Sequence, residues 1–91
     1  MTSFKRTLII SNKLGLHARA ATKLAQLSQQ FKAKITIELN EKQVDATSVI
    51  GLMLLAASQG KAVTVLTQGT DAKQALEAVY QLFCNKFDES E

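Results

Sequence analysis

Ile9-Ile10-Ser11-Asn12-Lys13-Leu14-Gly15-Leu16-His17-Ala18-Arg19-Ala20-Ala21-Thr22-Lys23-Leu24 changes its period midway. Upstream, Phe4 to Ile10 is rich in apolar and branched residues and reads as a strand, closed by the turn-type cluster Ser11-Asn12-Lys13. Downstream, Ala20, Leu24, Leu27 and Phe31 recur at i, i+4, i+7 and i+11, which places them on one face of a helix running to about Gln29 or Gln30. The chain therefore opens as strand, turn, helix, with the junction at Leu16-His17.

The same two periods alternate through the rest. Ile35, Ile37 and Leu39 alternate with Thr36 and Glu38 as a strand with one buried face, and Asn40-Glu41-Lys42 turns the chain so that Gln43-Val44-Asp45 can return as its hairpin partner. Thr47 or Ser48 can cap a second helix from Val49 to about Ser58, with Gly60 placed to stop it. Ala62 to Thr67 is another strand, and Gly69-Thr70-Asp71 is the next turn and cap. Ala72, Ala75, Leu76, Val79 and Phe83 then make the apolar stripe of the clearest helix, while Lys73, Gln74 and Glu77 face water. The polar tail after Phe87 is expected to fray. The order β-α-β-β-α-β-α, without a proline or a linker, predicts one α+β domain over residues 1–91. Its short connections favour neighbouring elements, with helices on one face of a mostly antiparallel sheet.

Composition narrows the function classes. At 46% apolar and 21% charged the chain is ordinary for a globular protein, which argues against disorder or coiled coil. No apolar run approaches the roughly 20 residues that span a bilayer, and residues 1–6 lack a signal peptide's apolar segment, so a cytoplasmic protein without a membrane role is expected. One cysteine and one histidine cannot by themselves close a metal site, and no cofactor motif is present, so no metal and no cofactor are expected. Cys84 reads as a small apolar residue of the last helix.

The net charge of +3 hides an asymmetry, because Asp88, Glu89 and Glu91 lie at the very end. Before them stand eleven basic and five acidic side chains, and none of the acids precedes Glu38. The N-terminal third is thus a basic field around the only histidine, suited to acidic partners or phosphates.

The first helix starts at His17-Ala18 with no Ser, Thr, Asp or Asn immediately before it, so its first N–H groups lack an obvious cap and suit an incoming anion. Arg19 adds a planar guanidinium fork matched to phosphate, and the His17 imidazole offers a lone pair to a phosphorus atom. A His-x-Arg alone fits a surface histidine at a loop end better than an anion site. The wider chain separates the two readings.

Gly15-Leu16-His17-Ala18-Arg19-Ala20-Ala21-Thr22 resembles the active-site signature of the histidine-containing phosphocarrier proteins of the bacterial phosphotransferase system. Ala46-Thr47-Ser48-Val49-Ile50-Gly51-Leu52-Met53-Leu54-Leu55 resembles that family's second signature, the regulatory-serine segment opening its second helix. The resemblance covers nearly the whole chain. It implies an open-faced β-sandwich: a four-stranded antiparallel sheet with three helices on one face. It also implies a monomeric, stoichiometric carrier rather than an enzyme, whose His17 takes a phosphoryl group on Nδ1 from enzyme I and yields it to a histidine of an enzyme IIA. Arg19 and the N–H groups of Ala18 and Arg19 match the groups that hold the phosphoryl charge. Where the family commonly has proline after the arginine, this chain has Ala20, which weakens only the rigidity of the helix start. The run Asn12 to Ala21 and the ending Phe87-Asp88-Glu89 are most similar to the nitrogen-related branch, the sugar-transport branch being the alternative.

The second helix is apolar nearly all round: Val49, Ile50, Met53 and Leu54 on one side, Leu52, Leu55 and Ala56 on another. A helix resting on a sheet cannot bury both stripes, so one is expected to be exposed as a partner site. Periodicity does not choose between them. The resemblance points to Val49, Ile50, Met53 and Leu54, with Gly51 allowing close approach, and implies that Ser48 is both a cap and a regulatory phosphorylation site. A reading from another class, a basic nucleic-acid-binding α+β module, has little aromatic support and no RNA-recognition run, so no nucleic-acid partner is expected.

Overall fold

A computed structural model describes residues 2–90. Its elements are β1 (Ser3–Ile9), α1 (Ala18–Ser28), β2 (Lys34–Leu39), β3 (Lys42–Asp45), α2 (Val49–Leu54), β4 (Ala62–Gln68) and α3 (Ala72–Cys84), then a 3-10 turn over Lys86–Asp88. The predicted order holds. The four strands form one antiparallel sheet in the order β1-β4-β2-β3.

Short connections suggested neighbouring elements, yet β4 lies between β1 and β2. Central placement lets it pair on both sides, Val65 opposite Arg6 on one strand and Ile37 on the other. Period-2 alternation sends Leu8, Ile35, Ile37, Val63, Val65 and Thr67 to one buried face. Thr67 is tolerated there because its hydroxyl donates to the Ala72 carbonyl at 2.8 Å. α3 covers β1 and β4 with Ala72, Ala75, Val79 and Phe83, whereas α2 rests against α1 and β3.

Three expectations are corrected. First, α2 ends at Leu54 and not near Ser58; Gly60 does not stop it but belongs to the turn entering β4, where its N–H donates to the Ile10 carbonyl at 2.8 Å. The last turn tightens, with Leu55 N–H bonded to the Leu52 carbonyl and Ala56 N–H to that of Met53, and Ala56 then adopts a left-handed φ of 54°. Leu55 and Ala57, on either side of that residue, are both buried. Second, Asp71 stands at the N-cap of α3 but makes no capping bond; its carboxylate instead accepts from the backbone N–H groups of Lys32 at 2.9 Å and Ala33 at 2.7 Å, tying the α1–β2 connection to the α3 start. Third, the tail after Phe87 is tied down for two more residues: behind the buried Phe87 ring, Asp88 pairs with Lys23 at 3.4 Å and Glu89 Oε1 accepts from Asn12 Nδ2 at 2.9 Å. Glu91, also part of that expectation, lies outside the described residues.

Candidate functional site at the start of the first helix

Gly15 sets the approach to the site. It has a φ of +66°, and a side chain there would collide with the Ala57 carbonyl, so glycine meets both demands. Its neighbour Leu16 is buried and donates its N–H to the same Ala57 carbonyl at 2.9 Å. The early end of α2 thus presents the carbonyl that holds the His17 loop. Asn12, fully buried, closes the loop by donating from Nδ2 to the Gly15 carbonyl at 2.8 Å.

His17 is then delivered as the N-cap of α1, in extended conformation. The expected missing cap is supplied by the histidine itself, whose Nδ1 accepts from the Ala20 N–H at 3.3 Å. An imidazole lone pair does here what a serine oxygen does at other helix starts. The contact assigns the lone pair to Nδ1 and the ring proton to Nε2. Ala18 and Arg19 are exposed in the same turn, and among the described residues their N–H groups carry no hydrogen bond. The Arg19 guanidinium makes no ion pair among those residues either. An open depression of about 520 Å³ is lined by Lys13, Leu14, Arg19, Asp88, Glu89 and Ser90. One nucleophilic nitrogen, two unbonded N–H donors and a guanidinium can hold a dianion covalently attached to the ring.

Two residues that sequence reading missed complete the surroundings. Glu89 Oε2 lies 2.8 Å from His17 Nε2, as an ion-pair contact rather than an aligned hydrogen bond, and Oε1 accepts from Asn12 Nδ2 at 2.9 Å. The available signal was the basic third of the chain with no acid of its own, facing three acids at the far end. On α2, Ser48 is the N-cap, its Oγ accepting from the Gly51 N–H at 3.0 Å. Asp45 prepares that cap by accepting from the Thr47 hydroxyl and N–H, and the hydroxyl bond holds its carboxyl below the usual range. Ile50, Met53 and Leu54 are exposed, Val49 is half-buried, and Leu52 and Leu55 are in the core. Gly51 faces its own chain, where a side chain would press on Ser48 and Val44. Cys84 is exposed, on α3.

Residues 4–85 match the family model of the PTS HPr component phosphorylation site. The chain belongs to the HPr family. It is similar to phosphocarrier protein NPr of Shewanella violacea, at 52% identity over 99% of each chain. It is also similar to phosphocarrier protein HPr of Cupriavidus necator, at 46% identity over 96% of this chain and 98% of that one. The crystal structure of HPr-C-His from Thermoanaerobacter tengcongensis superposes with a TM-score of 0.93 at 38% identity, covering 97% of this chain and 99% of the other. The open-faced four-stranded sheet with three helices is thus the HPr fold, and the protein is a phosphocarrier of the phosphotransferase system, a carrier and not a catalyst. HPr-family proteins work with enzyme I and enzyme IIA. Among the described residues no helix is long and apolar enough to cross a membrane.

Proposed function

We propose that this HPr-family protein carries its phosphoryl group on His17 Nδ1, between enzyme I and an enzyme IIA of the nitrogen-related branch. The observation that carries the reading is the lone pair on Nδ1 at the N-terminus of α1, beside an Arg19 guanidinium and two N–H groups that, among the described residues, make no ion pair and no hydrogen bond. In the transfer, the Nδ1 lone pair forms the new N–P bond as the donor phosphohistidine's P–N bond breaks, and that electron pair returns to the donor imidazole. The oxygens of the transferred group meet the Arg19 fork and the N–H groups of Ala18 and Arg19.

Val49, Ile50, Met53 and Leu54, flanked by Gly51, form the partner face: three exposed apolar side chains and the half-buried Val49 on a short helix packed against α1, with Met53 able to adapt to more than one partner. Ser48, exposed at the edge of this face, is the site where phosphorylation would place a dianion among those side chains. The nitrogen-related assignment is supported by the full-length similarity to an NPr and by the Asn12 to Ala21 run.

The test is incubation with phosphoenolpyruvate and either the nitrogen-type or the sugar-type enzyme I. An acid-labile, base-stable phosphate is expected on the wild type, absent from His17→Ala, and acquired faster from the nitrogen-type donor. Label on His17→Ala would overturn the site, and faster transfer from the sugar-type enzyme would overturn the branch.

A further inference from the structure

The carboxylate of Glu89 has an unusual position for a tail residue. Its side chain is only 9% exposed. It is carried there by three consecutive residues in left-handed conformation, Lys86, Phe87 and Asp88, with φ of 53°, 56° and 63°. Side chains rarely adopt this region, so tertiary contacts must select it. The buried Phe87 ring supplies one such contact, and Glu89 itself supplies the other by bridging Asn12 Nδ2 and His17 Nε2. A carboxylate removed from water needs compensation, yet Oε2 has no aligned donor in the resting geometry. Its ion-pair contact is with the His17 ring, whose other nitrogen is the proposed nucleophile.

Resting on the carrier reading above, we propose that Glu89 is a positioning residue for phosphoryl transfer at His17. With Nδ1 committed to the Ala20 N–H, the ring proton is on Nε2, facing Glu89. When Nδ1 takes the phosphoryl group, no proton leaves the ring: it keeps the Nε2 proton, acquires a positive charge, and loses its bond to the Ala20 N–H. The ring is then released to align Nε2–H with Oε2, and the carboxylate balances a charge that exists only once transfer has begun. Asn12 keeps the carboxylate in place meanwhile. Glu89 thus does for this histidine what a buried aspartate does for the base of a hydrolytic triad: it orients the ring and takes no proton.

The experiment compares wild type, Glu89→Ala and Glu89→Gln in steady-state transfer from phosphorylated enzyme I, with ring ¹⁵N and ¹H spectra of each phosphorylated protein. Glu89→Ala is expected to lower the maximal rate about tenfold while leaving the half-saturating enzyme I concentration unchanged. Its Nε2–H signal should lack the slow exchange expected of the wild type. Glu89→Gln, whose amide oxygen still accepts from Nε2–H, should fall between the two. A Glu89→Ala rate within about twofold of wild type overturns the inference, as does an unchanged Nε2–H signal or an effect confined to half-saturation. Label on His17→Ala would overturn the carrier reading and this inference together. Label lost from His17→Ala alongside a normal Glu89→Ala rate would overturn this inference alone.

Discussion

His17 caps the helix it stands on, its Nδ1 accepting the Ala20 N–H at 3.3 Å. A phosphoryl group on Nδ1 takes that lone pair and turns the N–H toward phosphoryl oxygens. Phosphorylation should therefore move the amide signals of Ala18, Arg19 and Ala20 more than those of the sheet. His17→Ala should cost about 1 kcal/mol in denaturant unfolding, and His17→Asn, with a side chain that caps well, should recover that stability without recovering phosphorylation. An alanine variant as stable as wild type would remove the capping role.

Arg19 has a different signature, because among the described residues its exposed side chain makes no ion pair and no side-chain hydrogen bond. Arg19→Ala should stay within about 0.5 kcal/mol of wild-type stability yet slow phosphoryl transfer by about tenfold or more. Arg19→Lys should recover only part, since an ammonium keeps the charge and loses the bidentate fork. Rapid-quench transfer from phosphorylated enzyme I measures both, and an unchanged rate in the alanine variant would take Arg19 out of the mechanism.

The two faces of α2 separate docking from folding. Ile50 and Leu54 are each 73% exposed, whereas Leu52 is fully buried. Ile50→Asp or Leu54→Asp should leave the unfolding midpoint close to wild type and weaken enzyme I binding by about 1–2 kcal/mol in calorimetry. Leu52→Ala should do the reverse, costing about 2–5 kcal/mol of stability.

Asp71 predicts a pH dependence. The backbone N–H of Lys32, joined by that of Ala33, holds its carboxyl below the ordinary 3.8. A folded-state value below the unfolded one means that the stabilisation is present above 3.8 and is lost as pH falls from there toward the folded-state value. Asp71→Asn should thus lower the melting temperature at neutral pH and flatten its decline in acid. Parallel melting curves for the two proteins across pH 2–5 would contradict this.

Local chemistry made most elements legible. The change of period at Leu16-His17, the alternation of Val63 and Val65, and the stripe through Val79 and Phe83 are properties of adjacent residues, and the structure reproduces them within a residue or two. The end of α2 was not legible. What closes that helix is burial of Leu55 and Ala57 and the use of an Ala57 carbonyl by Leu16, contacts made with a segment some forty residues earlier. Asp71 was misread for a related reason: it has the right type and place to be a cap, but two N–H groups of another connection compete for its oxygens and win.

By itself, the sequence determined the order of the strands and helices and, apart from the end of α2, the residues that form them, that a histidine and an arginine stand together at a helix start, and that α2 carries more apolar surface than one contact can bury. Those facts follow from side-chain period and type within a few turns of chain. Tertiary structure alone decided that β4 enters the middle of the sheet, that Ile50, Met53 and Leu54 are the stripe left in water, and that Glu89 reaches His17. Each of these is a choice among partners distant in sequence. It is settled by which apolar faces are buried together and by where a buried carboxylate can find polar partners, and no local pattern encodes that.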